Sequence, residues 1–331
     1  MPIGECGHSV TRKGVKKCRD CWVKRGPDRP PETWIPASDS RRVPIDYDDA
    51  LAQYRQFIGC SDRDYAGPAK ARDLTGKCDI AVLSDLHAPF QDMRAVAAFL
   101  ERTKGADLCI VAGDLQDHYS ISRFLKYESV SIQSELASAQ MVMEKLSEAF
   151  PRVICIEGNH DTPRFEKMLS DRLPHEAIDI IRFLSKTGRL STVEALCNQF
   201  PNVEHVKNRV QGRFDVSWYA QVGDLVVTHA EKYSRVPGAT MRGLEEWVSD
   251  FENTLGLKPW RVLLQAHTHQ LSLFPWRSDK LLGETGCMCT VMGYQLSARV
   301  AGRPQRMGWQ TLTQYDGVSD FGTVRPYWYQ P

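Results

Sequence analysis

The chain has 331 residues, with 42 Lys/Arg balanced against 41 Asp/Glu. That length allows one large α/β domain with small additions, and no run of roughly 18 or more apolar residues is present to span a bilayer. Residues 1–30 hold eight Lys/Arg and three Asp/Glu, a basic arm on a mildly acidic body, as expected either of a tether for a polyanion or of a solvated tail.

Residues 1–25 read as a small zinc-binding module. Cys6, His8, Cys18 and Cys21 make two close pairs of ligands that a tetrahedral structural Zn²⁺ can close into one knuckle. So short a segment cannot bury a core, so metal binding would supply its folding energy. The alternative is a tail with free thiols. Trp22 can pack this knuckle or stack on a base, and the neighbouring Lys and Arg side chains can neutralise phosphates. Residues 26–77 form a linker: Pro27, Pro30, Pro31, Pro36 and Pro44 favour extended chain, and a helix is expected over 46–58, capped by Asp46.

From residue 78 to 331 the pattern is that of the catalytic domain. Strands are expected at 78–83, 107–112 and 152–156, alternating with helices near 92–104, 120–126, 131–149 and between 162 and 198. Such alternation argues for βαβ units and a largely parallel sheet. After residue 200 short strands dominate (203–206, 214–221, 223–229, 261–266, 271–275, 280–286) around one helix at 240–254, and 300–331 gives no firm assignment. Of the ten cysteines, Cys78, Cys109 and Cys155 sit inside apolar strand runs, where they behave as small buried hydrophobes. Cys60, Cys197, Cys287 and Cys289 show no disulfide framework. This usage, with no apolar signal segment at the start, fits a reducing cytoplasm.

Metal-ligand side chains recur at the ends of the apolar runs: Asp85 and His87, Asp114, Asn159 with His160 and Asp161, His229, then His267 and His269. A strand delivers its last side chain to the rim of a sheet, so five such runs can converge on one edge. Mixed nitrogen and oxygen ligands suit borderline or hard divalent ions, manganese first, with iron, zinc or cobalt as alternatives. Two such ions about 3.5–4 Å apart polarise a phosphoryl group and generate a nucleophilic hydroxide.

With these motifs (DLH, GDLQD, GNHD, a strand-terminal His and HTH) the chain resembles the calcineurin-like metallophosphoesterase superfamily over about residues 78–295. The resemblance implies a four-layer α/β/β/α sandwich with a dimetal site at the carboxyl edge of the sheets. It implies that Asp85, His87 and His269 hold one ion, that Asn159, His229 and His267 hold the other, and that Asp114 bridges them. His160 would be the non-ligand histidine that assists the leaving oxygen, oriented by Asp117, with Asp161 second in line for that role. Relatives acting on phosphoproteins commonly carry Arg after the second Asp and Glu after Asn-His; His118 and Asp161 stand there. This shifts the expectation toward phosphodiesterase, nuclease and nucleotidase branches. Thr228 and Ala266 stand where Gly usually precedes the late histidines.

His118, Tyr119 and Arg123 follow the second motif and are candidates for substrate contact. The 68 residues between His160 and His229 carry Arg164, Phe165, Lys167, Arg172, His175, Arg182 and Lys186. They can form a lid over the metals or ordinary scaffold helices with solvated charges. The loop after His229 adds Lys232, Tyr233 and Arg235. The function expected is metal-dependent hydrolysis of phosphodiester bonds in nucleic acid or nucleotides, with no membrane partner. The alternatives are a phosphomonoesterase for a small metabolite or phosphoprotein, and a nucleic-acid-binding adaptor with a vestigial metal site.

Overall fold

The computed structural model describes residues 74–290 and 305–330, apart from 123–125, 127, 185–189, 208, 213–214, 232–233, 235 and 237. Cys6, His8, Cys18, Cys21, the helix expected over 46–58, Arg123, Lys186, Lys232, Tyr233 and Arg235 lie outside the described residues.

In chain order, β1 (Lys77–Leu83) leads to α1 (Met93–Arg102), β2 (Leu108–Ala112), a 3-10 turn (Tyr119–Ile121), α2 (Ile132–Ala149) and β3 (Arg152–Ile156). Then come α3 (Thr162–Arg172), α4 (His175–Leu184), α5 (Thr192–Cys197) and β4 (Val203–Val206). A second series follows: β5 (Arg209–Gly212), β6 (Asp215–Val222), β7 (Leu225–Ala230), α6 (Ala239–Phe251), β8 (Val262–Gln265), β9 (Leu271–Trp276) and β10 (Lys280–Thr285). The chain closes with β11 (Gly308–Tyr315), β12 (Val318–Ser319) and β13 (Arg325–Trp328).

Strands β12-β11-β1-β2-β3-β4 form one sheet, with β13 also on β11, and β5-β6-β7-β8-β10-β9 form the other. The first series is parallel from β1 to β4; β11 joins it antiparallel, pairing Ile80 with Leu312. In the second sheet only β7-β8 and β8-β10 are parallel, so the expected parallel arrangement holds for one half of the domain and gives way to a mixed sheet in the other.

Period-two alternation explains the layering. Ile80, Val82, Ile110, Ile154 and Ile156 face Trp218, Leu225, Val227, Val262 and Leu264 in the core between the sheets. The intervening Ala81, Leu83, Cys109, Val111, Val153 and Cys155 face outward and pack on Phe99, Val142, Met143, Leu146 and Leu196 from α1, α2 and α5. On the far side Val226 and Leu263 pack on Met241, Leu244, Trp247 and Val248 of α6. The four-layer α/β/β/α sandwich is therefore the architecture found.

Local chemistry sets the helix ends. Asp92 caps α1 by accepting from the backbone N–H of Arg94 and Ala95, Ser131 caps α2 through Ser134 N, and Ser191 caps α5 through Glu194 N. Pro174, which cannot donate to a continuing helix, separates α3 from α4. The helix expected over 120–126 is reduced, among the described residues, to the 3-10 turn. Its entry His118 is left-handed (φ 50°), and the carboxylate of Glu135 accepts from Tyr119 N and Ser120 N. No helix among the described residues is long and apolar enough to cross a membrane.

Candidate active site

β1, β2 and β3 run parallel and β7 and β8 run parallel, so their carboxyl ends deliver Asp85, Asp114, Asn159, His229 and His267 to one region. The loops there are laced together: Asp85 N donates to Gly113 O (3.1 Å), His87 N to Asp114 O (2.9 Å) and Ala88 N to Leu115 O (3.0 Å). Asp85, His87, Asp114, His267 and His269 all adopt left-handed backbone, with φ between 47° and 72°. That conformation is costly for residues with a Cβ, and its concentration here marks a site held in place by its surroundings.

Two groups of donors result. In one, His87 Nε2 lies 3.1 Å from His269 Nε2, and Asp85 Oδ1 lies 3.3 Å from His269 Nε2 and 3.8 Å from His87 Nε2. In the other, Asn159 Oδ1 lies 2.9 Å from His267 Nδ1 and 3.2 Å from His229 Nε2. Asp114 Oδ2 stands between them, 3.5 Å from His87 Nε2 and 3.4 Å from His229 Nε2.

These separations suit divalent metals. Ligand atoms held about 2.0–2.2 Å from one ion lie roughly 3 Å or slightly more from each other. Asp85 Oδ1 is buried and accepts no hydrogen bond from the described residues, an orphaned anionic oxygen that a cation would satisfy. The far nitrogens of two rings are fixed: His87 Nδ1 donates to Asp117 Oδ1 (2.9 Å) and His229 Nδ1 donates to Ala112 O (2.9 Å). Each Nε2 is thus left as the ligand atom. Glycine is required at two turns, because a Cβ on Gly113 would strike the His229 ring and one on Gly158 would strike the Asp114 carboxylate.

The charges agree with this reading. Burial works against ionisation of Asp85 and Asp114, but the neighbouring His269 and His229 hold both carboxyls below the usual range. Burial also opposes charge on His87 and His229; hydrogen bonds to Asp117 and the charge of Asp114 nevertheless push them up to about 9. His267 is driven to about 3 by burial and by the facing His229. Buried carboxylates that hold protons on adjacent imidazoles form a donor set from which a metal cation can displace those protons.

Around these donors the candidate catalytic residues divide. His160 Nδ1 lies 2.6 Å from Asp117 Oδ1, its backbone N donates to Asp114 Oδ1 (2.9 Å), and its ring centre is 4.5 Å from that of His87. Burial and the Arg164 cation hold its imidazole down at about 4. Asp161, second in line to orient His160, points elsewhere: its Oδ1 accepts from Gln116 N (2.9 Å) and its Oδ2 from Gly158 N (2.8 Å). It ties two ligand loops together, and burial with the charge of Asp114 pushes its carboxyl up to about 8.

The expected substrate contacts are placed differently from one another. His118 is fully buried: its Nδ1 donates to His160 O (2.8 Å), its Nε2 stands 3.2 Å from Thr192 Oγ1, and its ring stacks on Phe165. It therefore supports the His160 loop rather than offering a free nitrogen. Tyr119 is 5% exposed; its hydroxyl accepts from Glu128 N (3.2 Å) and its ring carries Lys126 Nζ at 4.5 Å.

Three residues join the site that motif reading passed over. Arg164, counted among the charges of the 160–229 insertion, places a nitrogen 2.9 Å from His160 Nε2. Its place in the first turn of α3, directly after the GNHD motif, was the available signal. Cys289 brings Sγ to 3.9 Å from His269 Nδ1, and Cys287 lies buried beside it. Burial raises the Cys287 thiol, but the neighbouring Cys289 and His269 outweigh it and bring the group to about 6. Only their alternation on one short segment hinted that these two thiols face the same way.

Among solved structures, the chain is similar to Vps29 from Chaetomium thermophilum, at 12% identity over 76% of this chain and 95% of that one, with a TM-score of 0.36. It is similar to a putative diadenosine tetraphosphatase at 17% identity over 80% and 100%, TM-score 0.32. A dimetal phosphatase from Danio rerio matches at 7% identity over 76% and 99%, TM-score 0.33. No curated protein sequence matches the chain. The profile of calcineurin-like phosphoesterases matches residues 79–280, more than half of the chain, and the chain belongs to that family.

Proposed function

We propose that this protein is a dimetal phosphoesterase acting on phosphodiester bonds of nucleic acid or nucleotides. One observation carries the hydrolytic part: Asp114 Oδ2 stands almost equally far from His87 Nε2 and His229 Nε2, at 3.5 and 3.4 Å, where one carboxylate can serve two ions. Asp85, His87 and His269 would hold the first ion, Asn159, His229 and His267 the second. When bound, two such ions supply Lewis-acid polarisation of a phosphoryl group and a nucleophile at neutral pH.

The chain's own residues do the rest. Asp117 accepts from His160 Nδ1 at 2.6 Å, which fixes the ring so that Nε2 faces outward from the carboxylate. From there His160 would steady the developing charge on the phosphoryl or leaving oxygen in its protonated form, the form with an Nε2–H to donate. Asp161 and His118 keep the Asp114 and His160 loops in register through the backbone contacts described above. The adaptor reading requires a lost ligand, and all seven are present and convergent.

Support for a diester comes from the positions after the second and third motifs. His118 and Asp161 occupy them and both are buried in loop-holding contacts, so neither offers the substrate the side chain expected in a phosphoprotein phosphatase. The basic segment 1–30, with its expected zinc module, is proposed as a tether for the polyanionic substrate, and manganese as the ion used in the site. Assaying the metal-loaded protein on bis-p-nitrophenyl phosphate and p-nitrophenyl phosphate tests the preference. Faster turnover of the diester is expected; exclusive turnover of the monoester would transfer the assignment to a phosphomonoesterase.

A further inference from the structure

We infer that His87, His269 and Cys289 form a second donor set, for a thiophilic d10 divalent cation such as zinc, that competes with the first ion of the proposed phosphoesterase centre. The inference rests on His87 and His269 as ligands of that centre and adds a sulfur to them. The three residues offer ligand atoms that all lie within 4.8 Å of one another. Cys289 is fully buried, and its Sγ stands 3.9 Å from His269 Nδ1. With bonds of about 2.3 Å to sulfur and about 2.0–2.1 Å to nitrogen, two ligand atoms of a tetrahedral ion stand roughly 3.6–3.9 Å apart. The observed separation suits an ion seated between the two.

The sulfur is held in place. Met288 N donates to Asp85 O (3.1 Å) and Met288 O accepts from Asp92 N (2.8 Å), which fastens the Cys287–Cys289 segment to the first ligand loop. Gln305 Nε2 donates to Cys289 O and lies 3.9 Å from Cys289 Sγ, so a donor faces the sulfur and favours its thiolate form. His269 stands where the two sets divide. Its Nε2 faces a hard oxygen, Asp85 Oδ1, at 3.3 Å, and its Nδ1 faces the soft sulfur. His87 has only Nε2 to give, because Asp117 occupies its Nδ1. A cation drawn to the sulfur therefore takes His87 Nε2 away from Asp85 and Asp114, and the two sets cannot be filled together. Ion chemistry decides between them: manganese prefers carboxylate, whereas zinc and cadmium prefer thiolate. On binding, the cation displaces the Cys289 thiol proton to solvent and takes the thiolate as ligand. Asn159, His229 and His267 lie outside this set, so the second ion stays.

Cadmium is the probe, because its bond to thiolate absorbs in the ultraviolet. Full-length, manganese-loaded wild type, Cys289→Ser and Cys289→Ala are titrated with Cd²⁺, with bound manganese and cadmium counted on the same samples. Wild type should show a stronger sulfur–cadmium band than either variant and should release one of its two manganese ions. The difference spectrum removes cadmium held by other cysteines, those of residues 1–25 included. In the variants, the Cd²⁺ concentration that displaces this manganese should rise about 10- to 100-fold. Cadmium NMR of the unaltered protein gives a reading that needs no variant: one resonance in the range of a single thiolate with nitrogen ligands is expected.

Equal sulfur–cadmium bands in wild type and both variants would overturn the inference and leave Cys289 as a hydrogen-bond partner of His269. So would an unaltered protein that lacks the single-thiolate resonance. If the band depends on Cys289 but manganese-loaded wild type hydrolyses no ester, the hydrolytic reading fails while this one stands.

Discussion

Asp117 Oδ1 lies 2.6 Å from His160 Nδ1 and 2.9 Å from His87 Nδ1. One buried oxygen thus orients both a candidate catalytic ring and a candidate metal ligand. Asp117→Asn should therefore damage two properties at once, lowering kcat/KM and weakening metal affinity, each about 10- to 100-fold. His160→Gln should reduce turnover and leave metal stoichiometry intact. Parallel kinetics and elemental analysis of the two variants check this, and normal metal affinity in Asp117→Asn would break the link.

Gly158 allows the third motif to pass over Asp114. A Cβ there would also meet Asp114 N at 2.5 Å, closer than carbon and nitrogen can approach, so the loop or the carboxylate must move. Gly158→Ala should lose metal at the bridging position and melt at a lower temperature. Replacement of Gly105, which has open space around its Cβ, should leave metal content unchanged and serves as the control.

Removal of metal should be visible in stability as well as activity. The site brings Asp85, Asp114 and Asp117 together in buried surroundings, and an ion binding the folded form alone stabilises it by about 2.7 kcal/mol at a hundredfold excess over Kd. Chelation should abolish hydrolysis and lower the melting temperature, and Mn²⁺ should restore both. Identical melting curves with and without chelator would count against a built metal centre.

Another buried carboxylate gives a prediction far from the chemistry. Glu245 on α6 accepts from Trp276 Nε1 (2.9 Å), Arg277 Nη2 (3.1 Å) and Lys280 Nζ (3.1 Å), pinning the β9–β10 hairpin. Burial opposes its charge, but hydrogen bonds from Lys280, Trp276 and Ser249 outweigh it and hold the carboxyl below its usual range. Its contribution is therefore complete above the unfolded value of about 4.3 and is lost as pH falls through the lower folded value. Glu245→Gln should cost about 1–3 kcal/mol at neutral pH. In denaturant titrations the gap from wild type should narrow only in acid.

The strands that end in ligands were legible because local pattern and ligand chemistry coincide there. Ile80–Leu83, Val153–Ile156 and Leu225–Val227 are apolar, and the ligands Asp85, Asn159 and His229 stand out two or three residues after the runs. β11 was not legible. Its partners are β1, more than two hundred residues earlier, and the β12–β13 segment. Its Gln310 and Gln314 look like surface residues yet are fully buried. Gln310 Nε2 donates to Ser272 O and Glu284 O, both at 3.0 Å, tying the two sheets together. His118 misled in the opposite direction: a histidine beside a metal motif reads as a substrate contact until its ring nitrogens are seen to face His160 O and Thr192. Arg164 stayed open between a lid residue and a solvated charge because a sequence does not show which side of a helix meets the site.

The most direct test of a catalytic dimetal centre compares wild type with Asp114→Asn, both loaded with Mn²⁺, on bis-p-nitrophenyl phosphate, with bound metal counted on the same samples. Two ions and steady hydrolysis are predicted for wild type, with fewer ions and a loss of at least about 100-fold in rate for the variant, whose bridging oxygen is compromised. Wild-type hydrolysis no faster than that of Asp114→Asn would contradict the assignment.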